Sequence, residues 1–186
     1  MEELELVLDM AKDGMKGALA HLENELTKIR AGKATPSLLD SVVVEYYGSN
    51  VPLSQVANVN TIDARTLTVQ PWEKSMLGEI EKKIIAANLG LNPQNNGDII
   101  MINVPPLTEE RRRNLVKQVK TEGENAKISI RSARRDANEE IKKLNKDGLP
   151  DDLTKKAEES VQKITDDYIA KTDALIAAKE KDIMTV

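Results

Sequence analysis

A chain of 186 residues that is 40% hydrophobic and 31% charged has enough apolar material for one or two domains with a core. Cysteine is absent, which excludes disulfides and thiolate metal sites, and the formal charge is −4. Phe is also absent, with one Trp and three Tyr, so the core must be aliphatic, and this favours long helices packed through Leu, Ile, Val and Ala.

The N-terminal stretch MEELELVLDMAKDG is acidic and amphipathic, unlike a signal or transit peptide. Apolar runs reach only four to six residues, far short of the ~20 that span a bilayer. A soluble protein of a reducing compartment, the cytoplasm, is expected. From Leu4 through Leu8, Ala11, Met15, Ala18, Leu22 and Leu26 to Ile29 the apolar residues recur three and four apart, predicting a helix ended by Gly32 and Pro36. Gly14 and Gly17 weaken it locally and are read as points of close helix packing.

Beyond Pro36 the period shortens. Ser41–Tyr47 reads as a strand, Gly48-Ser49-Asn50 as a turn and Val51–Leu53 as a short edge piece. Gln55–Ile62 and Arg65–Gln70 flank a tight turn at Asp63-Ala64 and are expected to pair as a hairpin. Leu77, Ile80, Ile84, Ile85 and Leu89 mark a helix ending at Gly90; Asn95-Asn96-Gly97-Asp98 is a turn, and Ile99–Val104 a buried strand.

Pro106 to Lys146 then reads as one long helix, with Thr108 as candidate N-cap and Glu109 and Glu110 at the positive end of its dipole. Its expected seam is Val116, Val119, Gly123, Ala126, Ile130, Ala133, Ala137 and Leu144, with Glu140 in the one polar slot. Arg113, Lys117, Lys120, Lys127, Arg131 and Arg134 form a basic stripe interrupted by Glu124 and roughly 30 Å long, on a helix roughly 55–60 Å long at 1.5 Å per residue. From Leu107 to Lys146 there are 12 Lys and Arg against 7 Asp and Glu, a balance of +5, which leaves −9 for the rest of the chain. Gly148 and Pro150 stop this helix. Asp151 and Asp152 open the last one, with an expected seam of Leu153, Ala157, Val161, Ile164, Tyr168, Thr172, Leu175 and Ala178.

Three helices with matching seams must enclose a bundle, because one seam left in water would be a large apolar strip. The fold class is therefore α+β: a long three-helix bundle from residues 1–31 and 105–186, with residues 32–104 as an inserted small β/α domain. Two Pro-containing connections join them, Ala31–Pro36 and Val104–Pro106, so Gly32, Pro36, Val104, Pro105 and Pro106 are expected hinges.

The inventory does not build an enzyme. His21 is the single histidine, and no Cys or Ser motif accompanies it. Gly32-Lys33-Ala34-Thr35 has the ending of a phosphate loop, but Thr27 stands where its first Gly should be and a helix precedes it. Asp63, Asp98 and Glu45 have no legible partner, and Trp72 reads as a packing residue at a strand end. The basic helix is different. Arg111, Arg112 and Arg113 open it, and Arg131, Arg134 and Arg135 recur at i, i+3 and i+4, a pattern whose planar guanidinium forks suit phosphate. A solvated charged face, or an adaptor helix that binds an acidic protein, is the competing reading, and a hydrolase with an unrecognised site in the β/α domain is a third.

KIRAGKATPSLLDSVVVEYYG, LGLNP, VPPLTEERRRNLVK and RSARRDANEEIKKL, in order and across essentially the whole chain, resemble the signature stretches of the bacterial ribosome recycling factor family. The resemblance implies a three-helix bundle and an inserted domain arranged in an L. It also implies a non-enzymatic, cofactor-free and metal-free monomer whose partners are the post-termination ribosome, through large-subunit ribosomal RNA, and elongation factor G with GTP. By position, the family's RNA-contacting arginines correspond to Arg30, Arg112, Arg131, Arg134 and Arg135, Arg134 first. Lys33 stands where the family more often has Arg, and Lys127 of the stripe joins the expected contacts.

Overall fold

The computed structural model describes residues 1–185. In chain order its regular elements are α1 (Glu2–Lys28), β1 (Val43–Tyr46), β2 (Ser49–Pro52), β3 (Ala57–Asp63), β4 (Thr66–Pro71), α2 (Leu77–Ala86), β5 (Asn92–Asn95), β6 (Ile100–Asn103), α3 (Glu109–Lys146) and α4 (Asp151–Met184), with short 3-10 turns between some of them. The chain divides into two compact units. One holds the residues up to Arg30 and from Glu109 onward, the other Ala31–Thr108.

In the first unit α1, α3 and α4 each pack on the other two. Met15, Ile130 and Tyr168, one from each helix, meet in one buried cluster; Ala11, Ala137, Ile141, Ala157 and Val161 form another. Each large side chain taken out of water there stabilises the bundle by about 1.5–3 kcal/mol. Thr165 and Thr172 are also buried, and their hydroxyls donate to the carbonyls of Val161 (2.7 Å) and Tyr168 (2.9 Å), so neither leaves an unsatisfied polar group in the core.

The seam of α3 differs from the expected one at both ends. Leu115 rather than Val116 is buried near its start, and near its end Ile141 is buried while Glu140 is exposed and Leu144 half-buried. The physical reason is the repeat. Leu115, Ala126 and Ala137 are 11 residues apart, as are Val119, Ile130 and Ile141. Eleven residues fill three turns of a nearly straight helix, whereas a strict 3-and-4 alternation drifts by about 20° per heptad. In α4 the seam gains Thr165 and Ile183; Leu153, Ile164 and Leu175 are half-buried, and Ala178 is exposed. Close packing also fails as the reason for Gly17, since a Cβ there would meet nothing within 4 Å; the tight glycine is Gly123, where a Cβ would lie 2.0 Å from Ile176 Cδ1.

The inserted unit is built on a four-stranded antiparallel sheet of order β3-β4-β6-β5. Leu67, Val69, Ile100 and Ile102 of its central strands, Ile80 and Ile84 of α2, and Leu38, Leu39, Val42, Val44 and Leu53 form one core. Strand β5 was not legible: NPQN is polar and contains Pro, which an edge strand tolerates because its outward N–H is not needed. The β1–β2 connection is the pair Tyr47 (φ 48°) and Gly48 (φ 79°), not Gly48–Asn50; two positive φ values match the twist of a two-residue hairpin. At the next turn Asp63 Oδ1 accepts the Arg65 N–H at 2.8 Å, and this holds the carboxyl below the usual range. Trp72 is 62% exposed; the strand-end packing expected of it is done by the buried Pro71.

Both connections are tied to the β3–β4 turn. The Ala34 N–H donates to the Ala64 carbonyl at 2.8 Å, and the Val104 N–H donates to the Arg65 carbonyl at 2.7 Å. Gly32 (φ 72°) lies so close to Leu107 that a Cβ would stand 2.5 Å from its Cγ.

Candidate nucleic-acid interface

A face of α3 carries the cations that the sequence singles out, and their spacing fixes how each is presented. Arg112, Gly123 and Arg134 are successive members of the same 11-residue repeat, one line over from the seam. On that line Gly123 admits Ile176 of α4, so the line runs along the α3–α4 boundary. Arg134 is accordingly half-buried, its guanidinium Nη1 3.5 Å from Gln162 Oε1 on α4, and Gln162 is itself oriented by a 2.8 Å bond to Asp166. A stem resting on a neighbouring helix with the charged head outward is the expected posture of a long amphipathic side chain.

Arg112 is half-buried as well, and its Nε is buried without a hydrogen-bond partner among the described residues. Arg131 and Arg135 are exposed, on the solvent side of the same face. Lys127 differs from the expectation of a free cation. Its side chain is 17% exposed, and its Nζ sits 2.6 Å from Asp173 of α4 and 3.8 Å from Glu124. Its charge is largely answered inside the protein, and it ties α3 to α4. Arg113 is paired with Glu109 one turn before it.

The remaining expected contacts lie outside α3. Arg30 follows α1 and is exposed. Near it Lys28 is engaged by Glu25 at 2.8 Å, a hydrogen bond that holds the Glu25 carboxyl below its ordinary range. Lys33 belongs to the other unit and is half-buried. The structure therefore brings Arg131, Arg134 and Arg135 together on one helix face, with Arg112 two turns below Val119 on its edge. It also supplies Gln162 and Asp173, which sequence reasoning missed; their signal, the register of α3 against α4, exists only after folding.

The arrangement offers guanidinium donors along a helix face. Among the described residues there is no group of three or more His, Asp or Glu side chains able to hold a metal ion, and no helix long and apolar enough to cross a membrane. Such a surface suits a polyanion backbone.

Comparison with known proteins fits this geometry. A family model for ribosome recycling factor matches residues 22–184. The chain is 59% identical over 185 residues to the ribosome-recycling factor of Flavobacterium psychrophilum, with 100% of this chain and 99% of that one covered. It is 59% identical over 186 residues to that of Cytophaga hutchinsonii, with both covered completely. A solution structure of the ribosome recycling factor superposes with a TM-score of 0.78 at 39% identity over 100% of both chains. A second solved structure, of models for the T. thermophilus ribosome recycling factor and the E. coli elongation factor G bound to the E. coli post-termination complex, gives 0.64 at 46% identity over 98% of this chain and 99% of that one. The bundle, the inserted β unit and these full-length likenesses agree, and the chain belongs to the ribosome recycling factor family.

Proposed function

We propose that this protein is a translation factor of the cytoplasm that recycles ribosomes after termination. It binds the post-termination ribosome through large-subunit ribosomal RNA and, with elongation factor G and GTP, promotes separation into subunits. It acts as a monomer and hydrolyses nothing itself. The observation that carries this reading is the full-length family likeness of a chain whose longest helix presents Arg131, Arg134 and Arg135 together. Arg30 and Arg112 add to that surface, Lys33 supplies a point charge from the inserted unit, and Lys127 ranks behind the arginines because Asp173 answers it. Flexing is assigned to Gly32, Pro36, Val104, Pro105 and Pro106, with Gly32 and the Pro pair foremost, since Pro36 opens a 3-10 turn and Val104 is anchored to Arg65.

The test is a sucrose-gradient assay of purified post-termination ribosomes with this protein, elongation factor G and GTP. Subunits should accumulate only when all three are present. Splitting that is unchanged when this protein is left out would remove the reading.

A further inference from the structure

Away from the arginines the bundle carries an apolar groove between α1 and α3. Val7, Ala11 and Gly14 line it from one side, Ala133 and Ala137 from the other. Met10 forms its outer wall and is 65% exposed; Leu6, one turn earlier, is 60% exposed. Gly14 and Gly17 continue the Leu6–Met10 line at helical spacing, and each weakens α1 relative to Ala. Packing within the bundle requires neither. A Cβ at Gly17 meets nothing within 4 Å, and one at Gly14 would make an ordinary 3.4 Å contact with Ala133 Cβ. Gly14, which lines the groove, keeps its α1 wall low there.

The rim is acidic. Asp136 and Glu140 of α3 border the groove, and Glu3 of α1 is exposed on the Met10 line two turns earlier. Lys143, 2.6 Å from Glu140, offsets part of this charge, while Lys12 and Lys16 are turned about 160° and 120° away from Met10 around α1. By the same helical geometry Asp136 lies about 140°, and Glu140 about 180°, around α3 from Arg131. A chain seated on RNA by its arginines would thus turn this groove away from that RNA, and its rim repels phosphate.

We infer that the groove receives a basic polypeptide segment carried by the ribosome, an inference that rests on the ribosome-binding reading. Apolar anchors of the segment lie over Gly14 and Ala133, where small residues permit close approach and Met10 adapts to their shape. Its Lys or Arg side chains face Asp136 and Glu140, with Glu3 at the near end, so that charge complementarity selects a cationic partner.

Two measurements on the full chain with purified ribosomes decide it. In the first, the double variant Asp136→Lys, Glu140→Lys is compared with the parent in ribosome cosedimentation. A threefold to tenfold loss of affinity is expected, and unchanged or tighter binding overturns the inference. In the second, a benzophenone amino acid replaces Met10, leaving every charge in place. Photolysis on the ribosome should give an adduct with a ribosomal protein at a Lys/Arg-rich segment; an adduct with RNA, or none while the chain is bound, overturns it. Arg134→Ala measured in parallel separates the two readings. If it abolishes binding while the charge reversal and the photoprobe give nothing, the groove assignment alone fails; if it binds as the parent does, the arginine assignment fails.

Discussion

Arg134 shows how a single side chain acquires its role from its line on the helix. Its half-burial against α4 restricts the rotamers of a long side chain, which would lower the entropy lost in the proposed RNA contact. Arg134→Ala should cost about 0.5–1 kcal/mol of stability through its half-buried stem, since the Gln162 contact itself is long and exposed. Ribosome binding should weaken by about 1.5–3 kcal/mol with the loss of a charged hydrogen bond. Arg134→Lys should restore only part, since it keeps the charge and loses the fork; Lys142→Ala, further along α3, serves as the control. Thermal melts beside cosedimentation separate the two effects, and a variant that binds normally, or fails only by unfolding, would refute the assignment. The glycines give a second contrast. Gly17→Ala, with open space around it, should stabilise the bundle by roughly 0.5–1 kcal/mol, whereas Gly123→Leu, which must displace Ile176, should destabilise it by about 1–3 kcal/mol. Denaturant midpoints read both, and equal effects would show that Gly123 is not a contact point.

At the scale of elements, the α3–α4 corner depends on one amide. Asn145 Nδ2 lies 2.9 Å from the Leu149 carbonyl, 2.9 Å from Asp151 Oδ1 and 3.1 Å from Thr154 Oγ1, around a turn in which Gly148 takes φ 114°. These acceptors fix where α4 starts, and no side chain caps its first residue. Asn145→Ala should therefore cost about 1–2 kcal/mol, and Asn145→Asp, which puts an oxygen where the donor faced three acceptors, at least as much. Chemical denaturation checks this; a neutral Asn145→Ala would mean that Gly148 and the helix packing define the corner alone. The basic face is an element-scale property too, since it needs the straight 11-residue repeat to keep Arg112 and Arg134 on one line.

At the scale of the whole molecule, two units joined by two short connections are expected to move relative to each other, the default for domains within a chain. The hydrogen bonds of Ala34 and Val104 to the β3–β4 turn belong to the inserted unit, so flexing is proposed for the residues next to them. Spin-label pairs spanning the units should give broad or multiple distance populations for the free protein. One narrow population, identical free and ribosome-bound, would remove the hinge proposal. Gly32→Ala should perturb the same connection, because a Cβ there meets Leu107 at a positive φ.

The sequence by itself determined the three long helices, the insertion of a β unit between the first and second, and the basic character of the third, because helical periodicity and charge are written locally. It also carried the arginines at 131, 134 and 135. Only the tertiary structure decided that Leu115 and Ile141 enter the seam in place of Val116 and Glu140, because a seam is defined by the helices that face it. It decided that Lys127 is answered by Asp173 and Arg134 reaches Gln162, pairings 46 and 28 residues apart that depend on the register of two antiparallel helices. Strand β5 was hidden for the same reason: a polar, Pro-containing tetrapeptide becomes a strand only when β6 offers it an edge.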